Sequence, residues 1–171
     1  MAFTATTDYT GFWKIGKTNH VSNDLQEYID NGEPERLRDL LGCTLYDLFI
    51  ADLDVNGDPQ TQRFIDIFEP FCLDDGNTNG LQHRSEGMKV MLQGFIYNDY
   101  VKETDFANVI SGNVKNSFSN AERARGVEYG IDERYNRAVS TYWEIQWFIC
   151  ANSAIYPEFN GMGKEMSTWL D

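Results

Sequence analysis

Between Ser119 and Asn152 the chain runs for 34 residues without a proline, and only Gly126 and Gly130 interrupt it. Apolar or aromatic residues fall at Ala124, Val127, Ile131, Tyr135, Ala138, Tyr142, Ile145 and Ile149. Steps of three and four put all eight on one stripe of an α-helix. Ser119 or Asn120 can cap its start, with Glu122 in the capping-box position after Ser119. Glu133 and Arg137 stand four apart, in reach of each other on the wet side. The second half, from Tyr142 to Cys150, is apolar nearly all round, which predicts that it lies between other elements. An unbroken helix of this length spans ~50 Å at about 1.5 Å per residue, so the rest of the chain has to arrange itself around it.

With 171 residues the chain is one domain of ordinary size, able to bury a real core. Its charge is uneven. The formal net charge is −13, and between Asp24 and Asp75 fourteen acids face only Arg36, Arg38 and Arg63, a local balance of −11. So acidic a surface argues against gripping nucleic acid by its phosphates. It suits a basic or calcium-rich partner, or a surface that must not stick to DNA passing nearby. Cys43, Cys72 and Cys150 are odd in number and include no CxxC pair, which reads as free thiols in a reducing cytoplasm, with one disulfide as the alternative. The first residues lack the basic and apolar regions of a signal peptide. No apolar run approaches the ~20 residues that span a bilayer. A soluble, cytosolically made protein without membrane contact is expected.

Taken in order, residues 1–21 read as an extended arm, rich in threonine and carrying Phe3, Tyr9, Phe12 and Trp13. A bundle domain over 22–155 follows. It opens with a short helix from Ser22 to Asp30, which the Asn31-Gly32 pair stops. A second helix starts at Pro34, suited to a first turn, and reaches Gly42. Thr44 caps a third, with Leu45, Leu48, Phe49 and Leu53 inward. The turn Asn56-Gly57-Asp58-Pro59 leads to a fourth from Gln60 to Phe68, ended by Pro70. Residues 71–82 read as a polar loop, and a long helix covers Arg84 to Glu103. On it Gly87 and Gly94, seven apart, would let another helix approach closely. The segment Asp105–Phe118 reads as a loop or short β-hairpin joining the two long helices. Beyond Tyr156-Pro157, residues 156–171 form a second extended arm with Tyr156, Phe159, Trp169 and Leu170 as sticky side chains. The expected fold is mainly α: a helical bundle around a long C-terminal helix, with arms at both ends.

The sharpest chemical motif is Asp52-Leu-Asp-Val-Asn-Gly-Asp58, which matches the first seven positions of a helix-loop-helix calcium loop. Asp52, Asp54, Asn56 and Asp58 are its candidate ligands. Position twelve requires a bidentate Glu and is Arg63 here, so an acidic turn is the preferred reading and a weak calcium site the alternative. His20 and His83 lie in no metal-ligand spacing and read as polar loop residues. There is no GxSxG, and no cysteine has a histidine nearby in sequence. Gly161-Met-Gly-Lys164 departs from a phosphate loop at Glu158 and Glu165. Trp143, Trp147 and Phe148 could line a ligand pocket, but at helical spacing they read as core. No cofactor is implied and no catalytic residue stands out.

Several stretches carry a resemblance: Leu25-Gln-Glu-Tyr-Ile-Asp30, Leu40-Leu-Gly42 with Leu45-Tyr-Asp-Leu-Phe49, Gly87 to Tyr97, Tyr135-Asn-Arg137 and Ile145-Gln-Trp-Phe-Ile149. Over roughly residues 20–155 the chain resembles small virion proteins of tailed phages that infect Bacteroides-type bacteria, including crAss-like phages. These are head-to-tail connectors of the neck. The resemblance implies a helical bundle with arms and a ring, usually of twelve copies, between the portal protein and the other neck and tail proteins. DNA would pass through its lumen without specific binding. It implies a virion location, no active site, and arm residues Phe3, Tyr9, Phe12, Trp13, Tyr156, Phe159, Trp169 and Leu170 at subunit interfaces. Other virion accessory or tail-completion roles, and a small-molecule or calcium-binding module, are the alternatives.

Overall fold

A computed structural model of the chain describes residues 2–15, 21–74, 82–109, 112–115 and 121–160. Two 3-10 turns, Thr6–Asp8 and Gly11–Trp13, precede helix α1 (Val21–Asp52) and helix α2 (Gln62–Phe68). Strands β1 (Phe71–Asp74) and β2 (Gln82–Ser85) lead to helix α3 (Met88–Asp105). Strands β3 (Phe106–Val109) and β4 (Gly112–Lys115) then lead to helix α4 (Ala121–Ala151). The protein is mainly α-helical, and the described residues include two separate two-stranded antiparallel ribbons, β1–β2 and β3–β4.

Helix α4 is the predicted spine. Of its stripe, Ile131, Ala138, Tyr142, Ile145 and Ile149 are buried and Tyr135 is half-buried. The side chains of Ala124 and Val127 lie outside the described residues. Helix α3 packs along α4 and α1 packs on α3. Both contacts are antiparallel: Tyr28 meets Tyr100, Arg36 pairs with Asp99, and Gly94 faces Ala138. One end of the bundle therefore holds the start of α1, the end of α3 and the β3–β4 ribbon. The other holds the end of α1, α2, the β1–β2 ribbon and the end of α4. Two apolar clusters fill it. The larger, around Phe49, Phe64, Phe95 and Tyr142, joins all four helices. The smaller, around Leu25, Ile29, Ile96 and Tyr97, lies toward the first end.

Helix α1 corrects the expected break at Asn31-Gly32 and the expected start at Pro34. The helix runs through both, and its backbone leaves helical geometry only at Gly42 (φ 71°, ψ 166°), a region that favours glycine. Pro34 deprives the Asp30 carbonyl of its helical donor, but tertiary contacts outweigh that loss. Gly32 lies against the side chain of Ile96. Glu33 is fully buried. Arg36 pairs with Asp99 at 2.7 Å and lies over the Phe95 ring. The expected helix start at Arg84 is also corrected, because Arg84 and Ser85 belong to β2. Residues 71–74 and 82 are likewise strand rather than loop, with Phe71 opposite Ser85 and Leu73 opposite His83. Gly87 is not a helix-contact residue. It sits before α3 at φ 89°, where a Cβ would stand 3.0 Å from the Phe68 carbonyl. Between Asp105 and Phe118 the hairpin alternative is the one found.

Candidate assembly surfaces

The arm aromatics come first, because they were expected to reach other subunits. Three of the four are used within the chain. Phe3 is buried and stacks on Phe49 at 5.7 Å between ring centroids. Tyr9 and Trp13 are buried in the smaller cluster. Burying side chains of this size stabilises by about 1.5–3 kcal/mol each, so residues 2–15 belong to the body of the fold. Phe12 alone stays exposed, with the guanidinium of Arg134 4.5 Å and that of Arg137 5.1 Å from its ring centre. At the other terminus Tyr156 is buried, its hydroxyl donating to the Arg63 carbonyl, and Phe159 packs against the larger cluster. Trp169 and Leu170 lie outside the described residues, as do His20 and Gly161–Lys164.

A glutamate that the sequence did not single out holds the arm. Glu33 Oε2 accepts the Phe3 N–H at 2.7 Å, and Oε1 accepts the Thr4 N–H at 2.9 Å and the Thr4 hydroxyl at 2.5 Å. Burial raises its pKa above the ordinary value, and the three donors from Thr4 and Phe3 pull the other way without cancelling it. No local motif announces such a residue, because its partners lie about thirty positions earlier.

The Asp52–Asp58 segment is an acidic turn. Asp52 Oδ2 accepts the N–H groups of Gln60 and Thr61, each at 2.8 Å. Asp54 Oδ1 accepts those of Asn56 at 2.8 Å and Asp58 at 3.0 Å, and Asn56 donates to Asp54 Oδ2 at 3.2 Å. These bonds favour the ionised carboxylates. For Asp52 a loss of hydration that would raise the pKa is outweighed by the Thr61 and Gln60 N–H groups, so the net shift is downward. For Asp54 the Asp58 N–H leads in holding the pKa low. Arg63, in place of the twelfth ligand, turns to Glu158 at 3.3 Å. Among the described residues no group of three or more His, Cys, Asp or Glu side chains is placed to hold a metal ion. At the tip Val55 is 95% exposed.

Three further surfaces stand out. On α1, Asp24, Glu27 and Glu35 line the solvent side with Asp30 beside them, opposite the buried Leu25, Ile29 and Leu37. At the far end His83 lies flat on Trp147, ring centres 3.4 Å apart, and its Nδ1 is 2.8 Å from Glu144 Oε2. This tacks β2 to α4. The expectation that the second half of α4 is enclosed is therefore corrected. Trp143 is exposed, Trp147 and Phe148 are half-buried, and the ribbon covers only one side. Lastly, Cys43, Cys72 and Cys150 are all free and exposed. Among the described residues no helix is long and apolar enough to cross a membrane. Comparison with known proteins found no matching family, curated protein or solved structure.

Proposed function

We propose that this chain is a structural subunit of a phage virion: a head-to-tail adaptor whose copies form a ring in the neck, between portal and tail, around the DNA channel. The observation that carries this reading is the acidic side of α1. From Val21 to the bend at Gly42 the helix extends ~30 Å at about 1.5 Å per residue. Its solvent side bears Asp24, Glu27, Asp30 and Glu35, against which only Arg38 is exposed as a base. Duplex DNA carries one phosphate per ~1.7 Å of its axis, so a ring lined by such helices repels the strand it surrounds and lets it slide. The resemblance of residues 20–155 to neck connectors supports the same role. A closed ring needs two different, complementary patches on each subunit, which a bundle with different ends can supply.

Electron microscopy of the purified protein, alone and mixed with portal rings, tests the reading. Rings coaxial with the portal, with α1 facing the lumen, are the expected result. A monomer that ignores the portal, or a ring with α1 on its outer wall, overturns it.

A further inference from the structure

Asn-Gly pairs occur at 31–32, 56–57, 79–80 and 160–161. Both residues of the first two pairs are described, and the fold treats them differently. We propose that Asn56-Gly57 is a site of spontaneous covalent modification, at which the Asn56 amide is exchanged for a carboxylate, while α1 protects Asn31-Gly32. This goes beyond the ring reading and does not depend on it. The reaction needs only the dipeptide and water. The Gly57 main-chain nitrogen attacks Asn56 Cγ and a C–N bond forms. The Cγ–Nδ2 bond breaks, and ammonia leaves with the proton that the Gly57 nitrogen gave up. The five-membered succinimide then takes up one water. Opening at Cγ gives aspartate, and opening at the main-chain carbonyl gives isoaspartate, whose backbone runs through Cγ. Nothing is oxidised or reduced. Glycine favours the first step because no Cβ shields its nitrogen.

What separates the two pairs is how much structure must open before nitrogen and side chain meet. Asn56 is exposed, beside the exposed Val55 at the tip of the turn. Gly57 is buried, and its N–H donates to the Asp54 carbonyl at 3.1 Å, closing a four-residue turn. The attack has to break that bond, and a turn at the surface opens far more readily than a packed helix. Asn56 Nδ2, the departing nitrogen, meanwhile donates to Asp54 Oδ2 at 3.2 Å. Asn31 is exposed as well, so exposure is not what protects it. It lies inside α1, where the Gly32 N–H belongs to the helical ladder and Gly32 is held against Ile96. Turning that nitrogen onto the Asn31 side chain means breaking α1 where it packs on α3. Conversion at Asn56 takes the Nδ2 donor away from Asp54 and sets a second carboxylate beside it. Like charges so close repel, so the modified turn between α1 and α2 is the weaker one.

The test ages the full chain at pH 6 and pH 9, folded and in urea, and digests it with trypsin. Cleavage after Arg36, Arg63 and Arg84 puts each Asn-Gly pair in its own peptide. Mass spectrometry should find the folded chain converting at Asn56 at least about tenfold faster than at Asn31. Conversion should quicken at pH 9, because the attacking nitrogen must lose its proton, and an isoaspartyl methyltransferase should label the peptide that holds position 56. In urea the two pairs should convert at similar rates, since only the fold separates them. Asn56→Asp sets the new carboxylate in place directly and should melt below the native chain at pH 7. A folded chain in which Asn56 stays intact, or in which Asn31 keeps pace with it, overturns the proposal. A difference between the pairs that persists in urea overturns the part played by the fold, and an unchanged melting temperature for Asn56→Asp overturns the weakened turn.

Discussion

Gly94 on α3 and Ala138 on α4 touch so closely that a Cβ built on the glycine would stand 2.6 Å from that of Ala138. The same added atom would lie 3.1 Å from the Arg134 carbonyl and 3.3 Å from the Trp13 ring. None of these neighbours is the loose end of a long side chain, and two helices and the arm would have to part. Gly94→Ala gains about 1 kcal/mol of helix propensity but overpacks a tight contact, which costs about 1–3 kcal/mol. Repulsion wins here. Urea unfolding should show a net loss of up to about 2 kcal/mol, with Trp13 more exposed to a fluorescence quencher.

Gly32 offers the contrast. A Cβ there meets the terminal methyl of Ile96 and no backbone. That methyl can swing aside, so the propensity gain of about 1 kcal/mol roughly cancels the crowding. Gly32→Ala should lose much less stability than Gly94→Ala. Ile96→Val removes the offending methyl at a usual cost of about 0.5–1.5 kcal/mol. In the double variant that cost should shrink, since neighbouring changes couple. A double variant whose losses simply add would refute this account of the contact.

The spine was legible because its signal is long. A stripe repeated over about seven turns survives the weak preferences of single residues, and Gly94 was legible as a place for close approach. Other features turned on contacts with no local trace. Asn31-Gly32 and Pro34 read as a boundary because the local rules favour one, yet packing on Ile96, Phe95 and Asp99 carries α1 through them. The β1–β2 ribbon left no alternation to read: three of the four β1 residues are exposed, and only Phe71 is half-buried. The aromatics of the N-terminal arm announced that they needed burial. Composition has no means of saying whether the socket belongs to the same chain, and for Phe3, Tyr9 and Trp13 it does. The turn at Asp52–Asp58 was legible as a turn, because Asp-x-Asn-Gly bonds to its own backbone.

Glu33 should give stability an unusual pH dependence. Its pKa is raised in the folded protein by burial. Its contribution is then fully present below the unfolded value and is lost as pH rises through the raised folded one. Glu33→Gln keeps one acceptor oxygen but turns an amide toward a backbone donor, costing about 1–3 kcal/mol. Denaturant unfolding at pH 5 and pH 8 should show a larger penalty for the variant at pH 5, because only the native glutamate gains from protonation. Equal penalties at both values would contradict the raised pKa.

Asp52 and Asp54 should act in the opposite sense. Their pKa values are lowered in the folded protein, Asp54 chiefly by the Asp58 N–H, whereas for Asp52 the desolvation that would raise the pKa is outweighed by the Thr61 and Gln60 N–H groups acting together. Their contribution is present above the unfolded carboxylate value of about 3.9 and disappears as pH falls through the lower folded value. Asp52→Asn and Asp54→Asn should therefore narrow the loss of stability between pH 4 and pH 2. At pH 7 both should be less stable than the native chain, since an amide accepts these N–H groups more weakly than a carboxylate. Calcium provides the companion measurement. The carboxylates already hold N–H groups, and Arg63 stands in place of the bidentate glutamate that a calcium loop requires, so millimolar calcium should leave the melting temperature of the native chain unmoved. A rise with calcium that Asp54→Asn abolishes would make the turn an ion site after all.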